Sequence, residues 1–170
     1  MGGKQKAKTA AGGEGAAEWK QAFFRQPYLR DVLIDHAVIA DTFETAIPWH
    51  RAADFYQEVR STVLDALNEV CGGGAVLCRS THAYPDGVAL YFSFYGTGRH
   101  GDLIDQWWTL KRAAQEAVFQ GGGTASHHHA MGRDHREWGQ RELPEGAIAA
   151  LRAIKASCDP GGIMNPGVCP

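Results

Sequence analysis

The stretch AVLCRSTHAYPDGVALYFSFYG, residues 75–96, decides the fold. Its two halves are rich in β-formers and flank Pro85, Asp86 and Gly87, residue types that favour tight turns. A β-hairpin is expected, with strands over Ala75–Tyr84 and Val88–Gly96. Alternation along the second strand sets Val88, Leu90, Phe92 and Phe94 on one face and Ala89, Tyr91, Ser93 and Tyr95 on the other. The second face is the more polar and is the one suited to look onto a site.

Upstream of the hairpin, Val38–Ile47 alternates apolar and polar residues and reads as a strand. Pro48 then opens a long helix. Its apolar residues Ala52, Phe55, Val59, Val63, Leu64, Leu67 and Val70 recur at helical spacing, and the glycines at 72–74 end it. Before the strand, Pro27–Ala37 reads as a short helix with Pro27 in its first turn. Downstream, a second amphipathic helix runs from about Asp102 to Gln120. Trp107, Leu110, Ala114, Ala117 and Val118 form its buried stripe, and Gly121–Gly123 stop it. Gly123–Ser126 is expected as a short last strand. A helix over Glu145–Ser157 follows, and the tail DPGGIMNPG, Asp159–Gly167, reads as a fixed loop. The order β-α-β-β-α-β predicts a ferredoxin-like α+β fold. In it an antiparallel sheet carries helices on one face, with a C-terminal helix and tail added.

The bulk properties bound the rest. A chain of 170 residues that is 44% hydrophobic can bury one core. A net charge of −2 brings no basic stripe for nucleic acid, and no apolar run approaches the roughly 20 residues of a membrane helix. Residues 1–15 read as a disordered lead-in without the apolar centre of a signal peptide, and 16–170 as the folded domain. Cys71, Cys78, Cys158 and Cys169 form no CxxC pair, so they are expected as reduced, buried fillers in a cytoplasmic protein.

GGGTASHHHAMGRDH, Gly121–His135, places three histidines in a row after the second glycine run. In an extended segment His127 and His129 face one way and His128 the other, so one tetrahedral metal cannot take all three without an irregular turn. A bound metal is therefore not expected, although His135 beside Asp134 keeps that option open. Imidazoles change charge near neutral pH and can take a proton and return it. A solvated loop is the plain alternative. Tyr91 is either a half-buried sheet tyrosine or a phenol hydrogen-bonded to a reacting carbonyl, with Tyr84 at the turn as its rival. The Arg30 guanidinium suits a phosphate, or else decorates a solvated helix; Arg79 is a second basic candidate. Asp41 and Glu44 read as edge charges or structural partners.

WKQAFFRQPYLRD, DTFETAIPW, GVALYFSF, GGGTASHHHAMGRDHREW and DPGGIMNPG occur in that order from Trp19 onward. Together they resemble the C-terminal part of FAD-linked oxidases of the vanillyl-alcohol oxidase superfamily, in particular the alkyldihydroxyacetonephosphate synthase branch. The resemblance implies an enzyme that exchanges the acyl chain of acyl-dihydroxyacetone phosphate for a long-chain alcohol, forming an ether-lipid precursor. FAD takes part with no net redox change. By motif match Tyr91, His127, His128 and His129 would be catalytic, with His128 and His129 facing the flavin, and Arg30 would hold the substrate phosphate. The branch usually has a cysteine two residues before the tyrosine, and Ala89 stands there.

The resemblance also implies a partner. The family's FAD-binding domain lies N-terminal to everything matched, and the chain offers no pyrophosphate-cradling glycine loop on a strand–helix turn. FAD is then held mainly by another domain or subunit, the chain being a fragment, a split-gene subunit or a remnant. Peripheral membrane contact stays open. Two rival readings remain: part of an FAD-linked 2-hydroxy acid dehydrogenase, and a non-enzymatic orphan cap.

Overall fold

The structure, a computed structural model, describes residues 14–168. It divides into two compact units, residues 1–36 and 37–170. Residues 1–13 of the expected lead-in lie outside the described residues, as does Cys169. In the first unit, α1 spans Glu14–Asp35 with Pro27 inside it. This corrects the short helix expected to start at Pro27. The residues before the proline are largely Ala, Glu, Lys, Gln and Arg, whose helix propensity carries the helix upstream.

The second unit runs β1 (Val38–Pro48), α2 (Trp49–Cys71), β2 (Gly74–Ala83), β3 (Gly87–Thr97), α3 (Leu103–Gln120), α4 (Arg136–Glu142) and α5 (Glu145–Cys158). Its sheet is antiparallel in the order β1-β3-β2. The α+β class, the hairpin and the two long helices follow the sequence reading. Gly72, at φ 74°, caps α2 in the left-handed region, where glycine carries no Cβ penalty.

The helices cover one face. Phe43 on β1 and Phe92 and Phe94 on β3 are fully buried with Phe55, Val59, Val63 and Leu67 of α2 and Leu110, Ala114 and Val118 of α3. Phe43 and Phe92, direct register partners, stack at 4.8 Å and 3°. Each of the Phe, Leu and Val side chains contributes about 1.5–3 kcal/mol by leaving water. Cys71 and Cys78 sit half-buried against this core, but Cys158 is exposed and fills nothing.

The expected last strand is not formed. Among the described residues, those from 121 to 130 have no helix or strand. Thr124 meets the free edge of β1 instead: its N–H donates to the Ala46 carbonyl at 3.2 Å, and its own Oγ1 accepts from the Ala46 N–H at 2.9 Å. A side-chain oxygen replaces the backbone acceptor a strand would supply, so the pairing stops after one residue. The glycine turn before it is spatially required. A Cβ on Gly123 would lie 2.5 Å from Thr45 Oγ1 and 2.6 Å from the Phe55 ring, and Gly122 holds φ 76°. The sequence reading also passed over α4, which Glu116 fastens to α3 through Trp138 Nε1 at 2.9 Å and Arg141 at 2.7 and 3.1 Å.

Candidate active site on the open face of the sheet

The face away from α2 and α3 carries the chemistry. Glu44, Tyr91 and Arg79 are register partners across β1, β3 and β2 and share this face. His82 joins them through a β-bulge. Val76, Cys78 and Ser80 pair with Phe94, Phe92 and Leu90, so plain alternation would send His82 to the helix side. The register shift between Ser80 and His82 pairs His82 with Ala89 and turns its ring outward. Sequence reasoning did not single out His82, because the bulge that turns it outward leaves no mark in the local pattern.

Glu44 organises the segment that covers this face. Its carboxylate is fully buried. The backbone N–H groups of His127, His128 and His129 all donate to its Oε1, at 2.7, 2.5 and 2.7 Å, and the Ser126 hydroxyl donates at 3.1 Å. Three consecutive N–H groups reach one oxygen only if the backbone curls around it as an anion-binding nest. The curl ends at Ala130, whose φ is 64°. This corrects the extended segment assumed from sequence. The three rings are not split between opposite faces; they fan out on the same side as Tyr91.

The rings form one cluster. His129 meets Tyr91 edge-on at 5.3 Å and 89°, and His128 lies over Tyr91 at 6.3 Å and 23°. His128 and His129 are 4.6 Å apart. His127 turns toward the hairpin, its Nε2 2.9 Å from Tyr84 Oη, and packs with the His82 ring at 5.0 Å. The Arg79 guanidinium sits 4.6 Å from the Tyr91 ring centroid, a cation–π contact. Tyr84, weighed as a rival to Tyr91, thus serves as a prop for His127. Arg30 lies exposed on α1 and belongs to the first unit.

Electrostatics separates the groups. Burial alone would raise the Glu44 carboxyl, but the backbone N–H groups of His129, His127 and His128 outweigh it and hold the acid below its ordinary range. Glu44 is therefore an anion, as a structural partner rather than a proton donor. His129 keeps an exposed side, yet partial desolvation pushes it below its ordinary value, while Glu44 pulls the other way. It presents a neutral imidazole, the form able to accept a proton. His135 is buried, lowered by burial, and bonded through Nδ1 to the Ala130 carbonyl at 3.3 Å. It caps α4 and lies outside the ring cluster. The group His82, His127 and His128 offers ring nitrogens within 4.8 Å of one another, close enough to share a cation, while His127 Nε2 is already engaged by Tyr84.

Asp41, the other acid of β1, works on the helix side. It accepts from Trp107 Nε1 at 2.6 Å and Lys111 Nζ at 3.0 Å, and Lys111 also donates to the Thr42 carbonyl at 2.8 Å. This ties α3 to the β1 edge. In the tail, Asp159 accepts from Lys155 and from the Ile163 and Met164 N–H groups at 3.0 Å, which makes it the fixed loop expected.

Residues 1–169 match the family model described as FAD linked oxidases, C-terminal domain. The chain is 30% identical over 159 residues to an alkyldihydroxyacetonephosphate synthase of Trypanosoma brucei brucei, covering 94% of this chain and 26% of that protein. It is 30% identical over 162 residues to the enzyme of the same name from Dictyostelium discoideum, again 94% and 26%. An FAD-linked oxidoreductase of Escherichia coli (strain K12), YgcU, is 33% identical over 92 residues, 52% of this chain and 19% of that one. A solved alkyldihydroxyacetonephosphate synthase shares the fold at a TM-score of 0.62 and 24% identity, over 88% of this chain and 24% of its own. The chain spans about a quarter of the length of the curated relatives it matches.

Proposed function

The chain belongs to the FAD linked oxidase C-terminal domain family, and from that premise we propose that it is the substrate-facing, catalytic part of an alkyldihydroxyacetonephosphate-synthase-like enzyme. The reaction replaces the acyl chain of acyl-dihydroxyacetone phosphate with a long-chain alcohol. The observation that carries this reading is the convergence of Tyr91, His128 and His129 on the open sheet face, with ring centroids 4.6–6.3 Å apart.

The exchange needs a proton removed beside the substrate carbonyl and later restored. His129, held neutral, accepts that proton and gives it back. Tyr91 donates its phenolic hydrogen bond to the carbonyl or a neighbouring hydroxyl from a rigid strand. The motif match assigns the phosphate to Arg30, and Arg79 adds positive charge on the sheet face itself. His127 props the cluster from the hairpin side.

Bound flavin would supply the electrophilic chemistry that the exchange requires. The donor set fits the reactive ring end of such a group: a neutral imidazole, a phenol and the exposed His128 ring stand on one open face. The described residues offer no glycine loop for its pyrophosphate. We therefore assign the nucleotide end to a flavin-binding domain or subunit that docks on this face.

A second reading rests on the oxidoreductase relative: the same imidazole would take the hydroxyl proton of a 2-hydroxy acid during its oxidation. One assay separates them. The flavin-loaded protein should incorporate labelled fatty alcohol into acyl-dihydroxyacetone phosphate without reducing an electron acceptor. Acceptor reduction driven by a 2-hydroxy acid, with no incorporation, would overturn the exchange reading. A protein silent in both assays would point to the orphan cap.

A further inference from the structure

The Glu44 carboxylate has two oxygens in different settings. Oε1 collects the three backbone N–H groups of the nest and the Ser126 hydroxyl. Oε2 is buried and accepts no aligned hydrogen bond among the described residues. It nevertheless lies 2.6 Å from His128 Nδ1 and 3.5 Å from His127 Nδ1. A carboxylate lone pair and a bare imidazole lone pair repel at 2.6 Å, so His128 Nδ1 must carry a proton. The geometry points to Glu44 as a positioning residue that fixes His128 in its Nδ1–H tautomer, leaving Nε2 as the bare nitrogen.

The neighbouring contacts close consistently. Free imidazole side chains favour the opposite tautomer, with the proton on Nε2, so a specific partner is needed to reverse that preference. Ring geometry carries Nε2 of His128 away from the carboxylate, on a side chain 41% exposed. His127 Nδ1 stands 3.3 Å from His128 Nδ1 and 3.5 Å from Oε2, so with the proton on His128 Nδ1 it serves as an acceptor, and the His127 Nε2–H donates to the Tyr84 hydroxyl at 2.9 Å. One buried anion thus sets the path of the backbone with one oxygen and the tautomer of His128 with the other. The consequence for catalysis rests on the function proposed above; the tautomer itself does not.

The substitution Glu44→Gln separates the two jobs. A carbonyl can replace Oε1 as acceptor for the three N–H groups, whereas the amide nitrogen cannot, since donor would face donor. The side chain is therefore fixed with its NH2 where Oε2 stood, and His128 Nδ1 must turn acceptor. Nitrogen-15 NMR of the imidazoles reads this directly on the chain itself. At a pH where the ring is neutral, the wild-type His128 should show a protonated-type Nδ1 and a bare-type Nε2. In Glu44→Gln the two signal types should exchange nitrogens while the backbone amide signals of 127–129 keep their downfield shifts. In the flavin-loaded protein, kcat should fall by about 100-fold with KM little changed. A wild-type His128 with a bare Nδ1 overturns the inference whatever the variant does. So does a folded Glu44→Gln protein whose His128 keeps its proton on Nδ1. Because no turnover is needed to see the tautomer, absence of exchange activity would count against the proposed reaction alone.

Discussion

On the helix face of the sheet, Phe43, Phe92 and Phe94 disappear completely into side chains from α2 and α3. On the opposite face, a single carboxylate gathers the Ser126–His129 part of the covering segment by three amide hydrogens and a hydroxyl. The first arrangement is distributed, with each contact one of many and the apolar area summing. The second is concentrated, so that one atom, Glu44 Oε1, decides where three imidazoles stand. A fold can be spread over many residues, but ring positions at a reacting site need tighter control than packing of a segment without helix or strand provides.

Substitutions at the two faces should therefore fail differently. Phe92→Ala opens a cavity in the packed core and should lower unfolding free energy by about 3–5 kcal/mol in urea titration. Glu44→Ala strands three amide donors beneath the segment and should cost about 2–3 kcal/mol, with water repairing part of the loss. Its signature is the collapse of the ring contacts around Tyr91, visible as lost nuclear Overhauser contacts to His128 and His129. If Glu44→Ala left those contacts intact, the contrast between the faces would break.

A third substitution probes the join between them. Gly123→Ala places a methyl against Thr45 Oγ1 and Phe55 and should cost about 1–3 kcal/mol through overpacking, read from thermal unfolding. The smallest effect is a pH dependence outside both faces. Arg141, Gln120 and Trp138 hold the Glu116 carboxyl down at about 2. A depressed acid contributes its stabilisation above its unfolded value of 4.5 and loses it as pH falls through the folded value. Trp138 fluorescence should report loosening of α4 between about pH 4.5 and 2, and Glu116→Gln should flatten that change.

The same contrast explains what the sequence made legible. Binary patterning is a property of burial, so the hairpin, β1, α2 and α3 could be read from period and turn residues, and Tyr91 fell on the polar face as expected. The open face depends on features that periodicity does not encode. A one-residue bulge at Ser80–His82 brought His82 outward, and a long-range contact between residues 44 and 127–129 curled a segment that looked extended. Thr124 replaced a ladder bond with its hydroxyl, which ended the expected fourth strand. The short α4 carried too little periodic pattern to announce itself and is held by Glu116. Glu44 was visible as a charge on an alternating strand, but nothing local in sequence said that three amides would seek it.

The most direct test of the open face as a reacting site is incorporation of labelled long-chain alcohol into acyl-dihydroxyacetone phosphate by the flavin-loaded protein, compared with its Tyr91→Phe and His129→Asn variants. The account predicts incorporation without acceptor reduction in the wild type and a loss of about 100-fold or more in each variant, with both still folded. Variants that incorporate the alcohol at the wild-type rate would contradict it.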